Sequence, residues 1–287
     1  MPAFGADADH TVVAESSRRV IGFGSLWTNT WHPHAQYVAV GVARAWQGRG
    51  IGTRLMDDLL DLRGSHRHLP LLTGIRERNR RGAQFLARYG FFPVRETWEP
   101  VLPVASWGEV EISRFRRLQA AVKDHCKQGG YSIVPLSQLS CDPGWDLRVA
   151  VLCGEIYAAT HTMNPVAAQS AESWRDQIFG DPDDSPIAEG SFVAIQGAEL
   201  AGVALLHPSG EPGVLDLGWR GVGDGHHPWS GSLVLALTLE QAFYALQRGC
   251  DLQAEVDSTD PWAVLMHKAL PFRPAPAWVT WRRLPDP

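Results

Sequence analysis

The chain has 287 residues, 45% of them hydrophobic and 20% charged, with a formal net charge of −5. That make-up belongs to a folded globular protein, excludes global disorder and offers no bulk positive charge to nucleic acid. The length exceeds the roughly 100–150 residues of a usual single domain, so two domains are expected. No run reaches the roughly 18 apolar residues of a membrane span. Met1–Asp7 has no basic segment leading into an apolar one, so no secretory leader is expected. Cys126, Cys141, Cys153 and Cys250 are scattered without metal spacing and read as reduced thiols of a cytoplasmic protein. The bias to arginine over lysine, with abundant Ala and Gly, points to a GC-rich bacterial genome.

Thr11–Glu15 and Arg19–Trp27 read as extended runs joined by a polar turn at Ser16–Arg18. Gln36–Val42 is a third, valine-rich run. Gly48–Gly52 opens into an amphipathic segment whose Leu55, Met56, Leu59, Leu60 and Leu62 approximate a helical stripe, stopped by Gly64. Leu69–Ile75 is a fourth extended run, and Asn79 then caps a helix through Arg88 that ends at Gly90. Ser113–Gln128 is charged and periodic, a helix following a connecting segment.

Beyond it the spacing predicts a short extended run at Ile133–Leu136 and helices over Pro143–Thr160 and Ser170–Phe179. Ser191–Ile195 and Leu200–Leu206 flank Gly197-Ala198-Glu199, a hairpin pattern. Val214–Leu217 is extended, Leu233–Gln247 helical, Leu252–Val256 extended, Trp262–Leu270 helical and Trp278–Arg282 extended. The two halves repeat one order of elements: Asn79…Phe85–Phe91 is echoed by Asp260…Met266–Phe272, a duplication. The second copy is preceded by a strand and two helices that the first lacks. The expected division is 1–105, a linker helix over 106–130, and 131–287.

Alternating glycines at 48, 50 and 52 let an anionic group approach the backbone, where unpaired helix amides and the helix dipole favour it. A pyrophosphate suits that place. Gly41–Gly52 resembles the acyl-CoA signature of the GNAT superfamily of N-acyltransferases: a strand ending in Val, a short link, Arg or Gln, two residues, Gly, one residue, Gly or Ala. Asn79 with Phe85–Phe91 resembles the family's second motif, at its usual distance. The second half resembles the family less strongly. Where the cofactor loop would stand it reads Gly221–Gly231, in which Pro228 lacks an amide donor, Trp229 is bulky and Asp224 opposes phosphate.

The resemblance implies an α/β (α+β) chain of two tandem GNAT-like domains, each with a mixed, mostly antiparallel sheet flanked by helices. It implies acetyl-CoA or another acyl-CoA as co-substrate. Gly41, Val42 and Ala43 would pair with the pantetheine; Gln47, Gly48, Arg49, Gly50, Ile51, Gly52 and Thr53 would hold the pyrophosphate, and Asn79 the cofactor arm. A backbone N–H near Val42 would polarise the thioester. The acceptor is expected to be the amine of a small molecule attacking directly, with neither nucleic acid nor membrane as partner; a homodimer is left open.

The proton steps depart from the family's usual pattern. Its general-acid Tyr falls on Leu86, with Tyr89 one helical turn on, and its glutamate base falls at Gln36-Tyr37. Tyr89 is the acid candidate; His32, His34 and Glu77 are base candidates. His32-x-His34, His66-x-His68 and His226-His227 lack further ligands at metal spacing, so no metal is expected. Two other readings stand beside the acyltransferase: an acyl-CoA-binding scaffold without turnover, and an enzyme of this fold with non-amine chemistry.

Overall fold

The computed structural model describes residues 9–139, 142–223 and 228–285. Asp224, His226-His227 and Cys141 lie outside the described residues. The elements in chain order begin with β1 (His10–Ser16), β2 (Arg19–Thr28), β3 (Gln36–Val42), α1 (Ile51–Leu62), β4 (Leu71–Arg76), α2 (Arg80–Arg88) and β5 (Phe92–Trp98). They continue with β6 (Val101–Leu102), α3 (Glu109–Gln128), β7 (Tyr131–Pro135), α4 (Trp145–Thr160), α5 (Ala171–Phe179), β8 (Phe192–Gln196) and β9 (Glu199–Pro208). The last are β10 (Val214–Val222), α6 (Ser230–Gln247), β11 (Asp251–Ala254), β12 (Val256–Asp257), α7 (Pro261–Ala269) and β13 (Trp278–Arg283).

Two compact units form. Unit 1 is Met1–Glu96 with Met163–Ala167 and Trp278–Pro287; unit 2 is Thr97–Thr162 with Ala168–Ala277. This partition differs from 1–105, 106–130 and 131–287 in four places, the first being residues 97–105, which belong to unit 2 because β6 pairs with β11. β13 pairs antiparallel with β4 from Trp278↔Arg76 to Arg283↔Leu71, so the C-terminal strand completes the first sheet. Residues 163–167 hydrogen-bond within unit 1: Ala167 N–H donates to Trp31 O at 2.7 Å, and His32 Nδ1 lies 2.7 Å from Asn164 O. Helix α3, expected as a linker, packs on α6 and buries Phe115 and Cys126 in the core of unit 2.

In unit 1 the strand order is β1-β2-β3-β4-β13-β5. The β1–β2 hairpin turns through Ser17 and Arg18 at φ of 50° and 62°. Helix α1 buries Leu55, Met56 and Leu59, the last two in one core with Leu26, Val38 and Leu71; its 3.6-residue stripe is what the leucine spacing encodes. In unit 2 the order is β6-β11-β10-β9-β8-β7. There α6 is buried nearly all round, which is why its apolar residues show no single stripe. Among the described residues no helix is long and apolar enough to cross a membrane.

Candidate functional site

Strands β3 and β4 run parallel but pair only at Gln36↔Leu71 and Tyr37↔Leu72. Past those pairs they part, and a slot of about 410 Å³ opens between Val38–Val40 and Thr73–Arg76, walled by Phe23, Phe85 and Trp278. Ala43 N–H donates to Ile21 O in β2, whereas Gln36 N–H donates to Pro70 O on the opposite side. Strand alternation therefore turns the N–H groups of Val38, Val40 and Val42 toward the slot.

At the end of β3 the chain enters α1 through Gly48 and Gly50, at φ of +77° and +80°. Gly50 is the N-cap in the left-handed region; no side chain caps the helix, and its first turn holds no acidic residue. The free amides of that turn face an open cleft of about 520 Å³ lined by Gln47, Gly48, Gly50, Ile51, Gly52 and Thr53 on one side and Asn79, Gly82 and Phe85 on the other. Arg81 and Arg88 are its only charged lining residues among those described. An uncapped helix N-terminus beside two guanidinium groups is an anion site. The cleft and the slot share Val40, Asn79, Gly82 and Phe85, so they form one channel.

The structure brings most of the expected binding residues together. Val42 lines the cleft with the loop, and Gln47 Nε2 donates to Val42 O at 3.0 Å. Asn79 Oδ1 accepts from Gly82 N–H at 2.9 Å, capping α2. Gly41 and Ala43 are in place on β3 and just past it, while Arg49 stacks over Trp46 at 4.8 Å. The sequence reading left out Arg81 and Arg88, although their spacing with Gln84 and Phe85 sets them on one helical face.

The proton-transfer candidates lie apart from this channel. Tyr89 O–H donates to Asp57 Oδ1 at 2.8 Å, with Thr53 O at 3.1 Å, tying the end of α2 to α1. Burial and the neighbouring Asp57 push its pKa up to about 12. His34 is exposed, and exposed Glu77 pairs with Arg78 at 3.8 Å. Gln36 is fully buried, its Oε1 accepting from Arg63 Nε at 3.1 Å. Among the described residues no group of three His, Cys, Asp or Glu side chains has metal-holding geometry.

Unit 2 repeats the parting of parallel strands: β10 and β11 pair only from Val214↔Asp251 to Leu217↔Ala254. Asp260 caps α7, accepting from the N–H groups of Trp262 and Ala263 at 2.8 and 3.2 Å, as Asn79 caps α2. Trp229, at the start of α6, packs its ring 4.3 Å from His125.

Residues 2–91 match the model of the Acetyltransferase (GNAT) family. The solved structure of a GCN5-related N-acetyltransferase from Sphaerobacter thermophilus is similar at a TM-score of 0.58 and 16% identity, covering 93% of this chain and 78% of that one. A tandem GNAT protein from the clavulanic acid biosynthesis pathway gives 0.54 and 17%, covering 98% and 85%. The glucosamine N-acetyltransferase region of a fungal multi-domain beta-N-acetylglucosaminidase gives 0.65 and 11%, covering 95% of this chain and 32% of that one. No curated protein sequence is significantly similar. At these identities the solved structures carry the fold: tandem α/β units with mostly antiparallel sheets.

Proposed function

We propose that the chain is an acyltransferase of the acetyltransferase (GNAT) family, whose model residues 2–91 match, and that unit 1 binds acetyl-CoA, or another acyl-CoA, and acylates the amine of a small molecule. One observation carries this reading: an uncapped helix N-terminus, opened by two left-handed glycines, continues into a slot between parted parallel strands. Pyrophosphate would sit on the α1 amides with Arg81 and Arg88 about it, and the pantetheine arm would run along Val38–Val42 past Asn79. The acyl-CoA supplies a thioester carbonyl open to attack. The Val42 N–H, turned into the slot, would hold that carbonyl oxygen and stabilise the charge it gains as the amine adds.

Direct attack leaves two proton steps: the amine must lose a proton and the departing thiolate can take one. Tyr89, His34 and Glu77 stand outside the channel lining. We assign them secondary parts, with the amine attacking in its neutral form and its proton passing to water. The same observation favours a second reading, an acyl-CoA-binding protein without turnover. Free-thiol release from acetyl-CoA over a panel of small amines separates the two. The enzyme reading expects release above the Gly50→Glu background with at least one amine; tight acetyl-CoA binding with no release across the panel contradicts it.

A further inference from the structure

Unit 2 holds a cavity that the reading of unit 1 does not use. It opens where β10 leaves β11, has a volume of about 420 Å³, and is lined from α4, β9, β10 and the stretch from Glu255 to Ala263. That volume falls in the roughly 300–1,000 Å³ range of small-molecule sites. We propose that it binds a small molecule through a primary ammonium group, held by Asp216 and His207, independently of acyl-CoA.

His207 and Asp216 are direct cross-strand partners on β9 and β10, so their side chains share a face. His207 is only 7% exposed, and its Nδ1 lies 2.7 Å from Asp184 O. A carbonyl can only accept, so Nδ1 carries a proton, and in the neutral imidazole Nε2 then presents a lone pair. That Nε2 is buried without a hydrogen-bond partner, an arrangement that is costly unless a ligand brings a donor. Beside it, burial raises the Asp216 pKa, with His207 acting to lower it and the Asp184 and Glu211 carboxylates to raise it.

The rest of the lining agrees on the sign of the guest. Asp184, Asp216, Glu255, Asp257 and Asp260 outnumber the single guanidinium, that of Arg220. Arg220 sends Nη1 to Met266 Sδ at 2.9 Å, and Nη2 is buried without a partner, a donor for an oxygen on the same ligand. One wall is aromatic, formed by Tyr157 and Trp219 with ring centroids 5.0 Å apart. Such faces attract an organic cation and its apolar body. Acceptors at one point, a donor at another and an aromatic wall together describe an amine with a nearby hydroxyl or carbonyl and an apolar group.

Calorimetry on the full chain without acyl-CoA, with phenylalaninol, N-acetylphenylalaninol and 3-phenylpropanoate as probes, tests this. We expect saturable binding of phenylalaninol, weakened at least about tenfold by N-acetylation and by Asp216→Asn. The Gly50→Glu chain, disabled at the unit 1 cleft, should bind it unchanged, so this result stands apart from any failure of the acyl-CoA reading. If Asp216→Asn melts early, the comparison of parent and N-acetyl probe on the unmodified chain decides. Absence of saturable phenylalaninol binding, equal affinity for both amide and amine, tighter binding of the carboxylate, or loss in a folded Gly50→Glu chain would each overturn the proposal.

Discussion

Gly48 and Gly50 hold the anion cleft open by conformation rather than by lack of room. A Cβ at either position would meet nothing within 4 Å, but both residues sit at positive φ. A non-glycine residue there costs about 1–2 kcal/mol. Gly50→Ala should therefore lower the melting temperature slightly and weaken acetyl-CoA binding, while Gly50→Glu, which puts a carboxylate where pyrophosphate would lie, should abolish it. Gly52 differs: it lies inside α1, where a Cβ would make ordinary contact with Val42 at 3.6 Å, so Gly52→Ala should leave stability intact. In the sequence the three alternating glycines looked alike, because periodic spacing does not report which residue ends up helical. Tyr89 gives a further prediction at this scale. Tyr89→Phe should reduce turnover by less than about tenfold, since its phenol is engaged with Asp57 on the flank of α1. A raised phenol pKa favours the protonated folded state, a contribution fully present below the usual value of 10.0 and lost as pH rises toward about 12. The Phe variant should show a shallower alkaline loss of stability in a melting series; an unchanged alkaline limb contradicts the assignment.

At the level of elements, Asn79 has two separable duties. As the N-cap of α2 it satisfies the Gly82 amide, and it also faces the channel. Asn79→Ala should lower stability by about 1 kcal/mol and weaken acetyl-CoA binding. Asn79→Asp keeps a capping oxygen but adds a negative charge, so melting should hold while acetyl-CoA affinity falls; equal affinity in the Asp variant would remove Asn79 from the binding site. The stripe of α1 and the Asn79 cap were legible because local periodicity and cap chemistry fix them. Strand β5 was not: Phe92–Trp98 begins two residues after the Gly90 that stops α2 and carries Pro93, a residue that argues against a strand. Nor was the partner of β13, since an alternating Trp278–Arg283 states that a strand forms but not which sheet takes it. Chain ending at Ala277 should lose acetyl-CoA binding along with the pairing to β4, and a piece covering residues 1–105 should not fold stably alone.

Over the whole molecule, the repeat of strand, helix and capped helix in both halves was readable from Asn79 and Asp260 at matching places. The chemistry of unit 2 was not, because His207, Asp216 and Arg220 stand apart in sequence and meet only through the β9–β10 register. In the second copy Pro228 and Trp229 stand where the resemblance would put a cofactor loop, and Trp229 packs against His125 and Tyr131 in unit 2. Gly231→Glu, the counterpart of the disabling change in unit 1, should leave acetyl-CoA affinity within about twofold, or about 0.4 kcal/mol. On the proposed reading the acyl donor is held at the start of α1 and nowhere else. Calorimetric titration of the full chain with acetyl-CoA decides this: one site per chain is expected, absent in Gly50→Glu. Two equivalent sites, or undiminished binding by a folded Gly50→Glu chain, would contradict it.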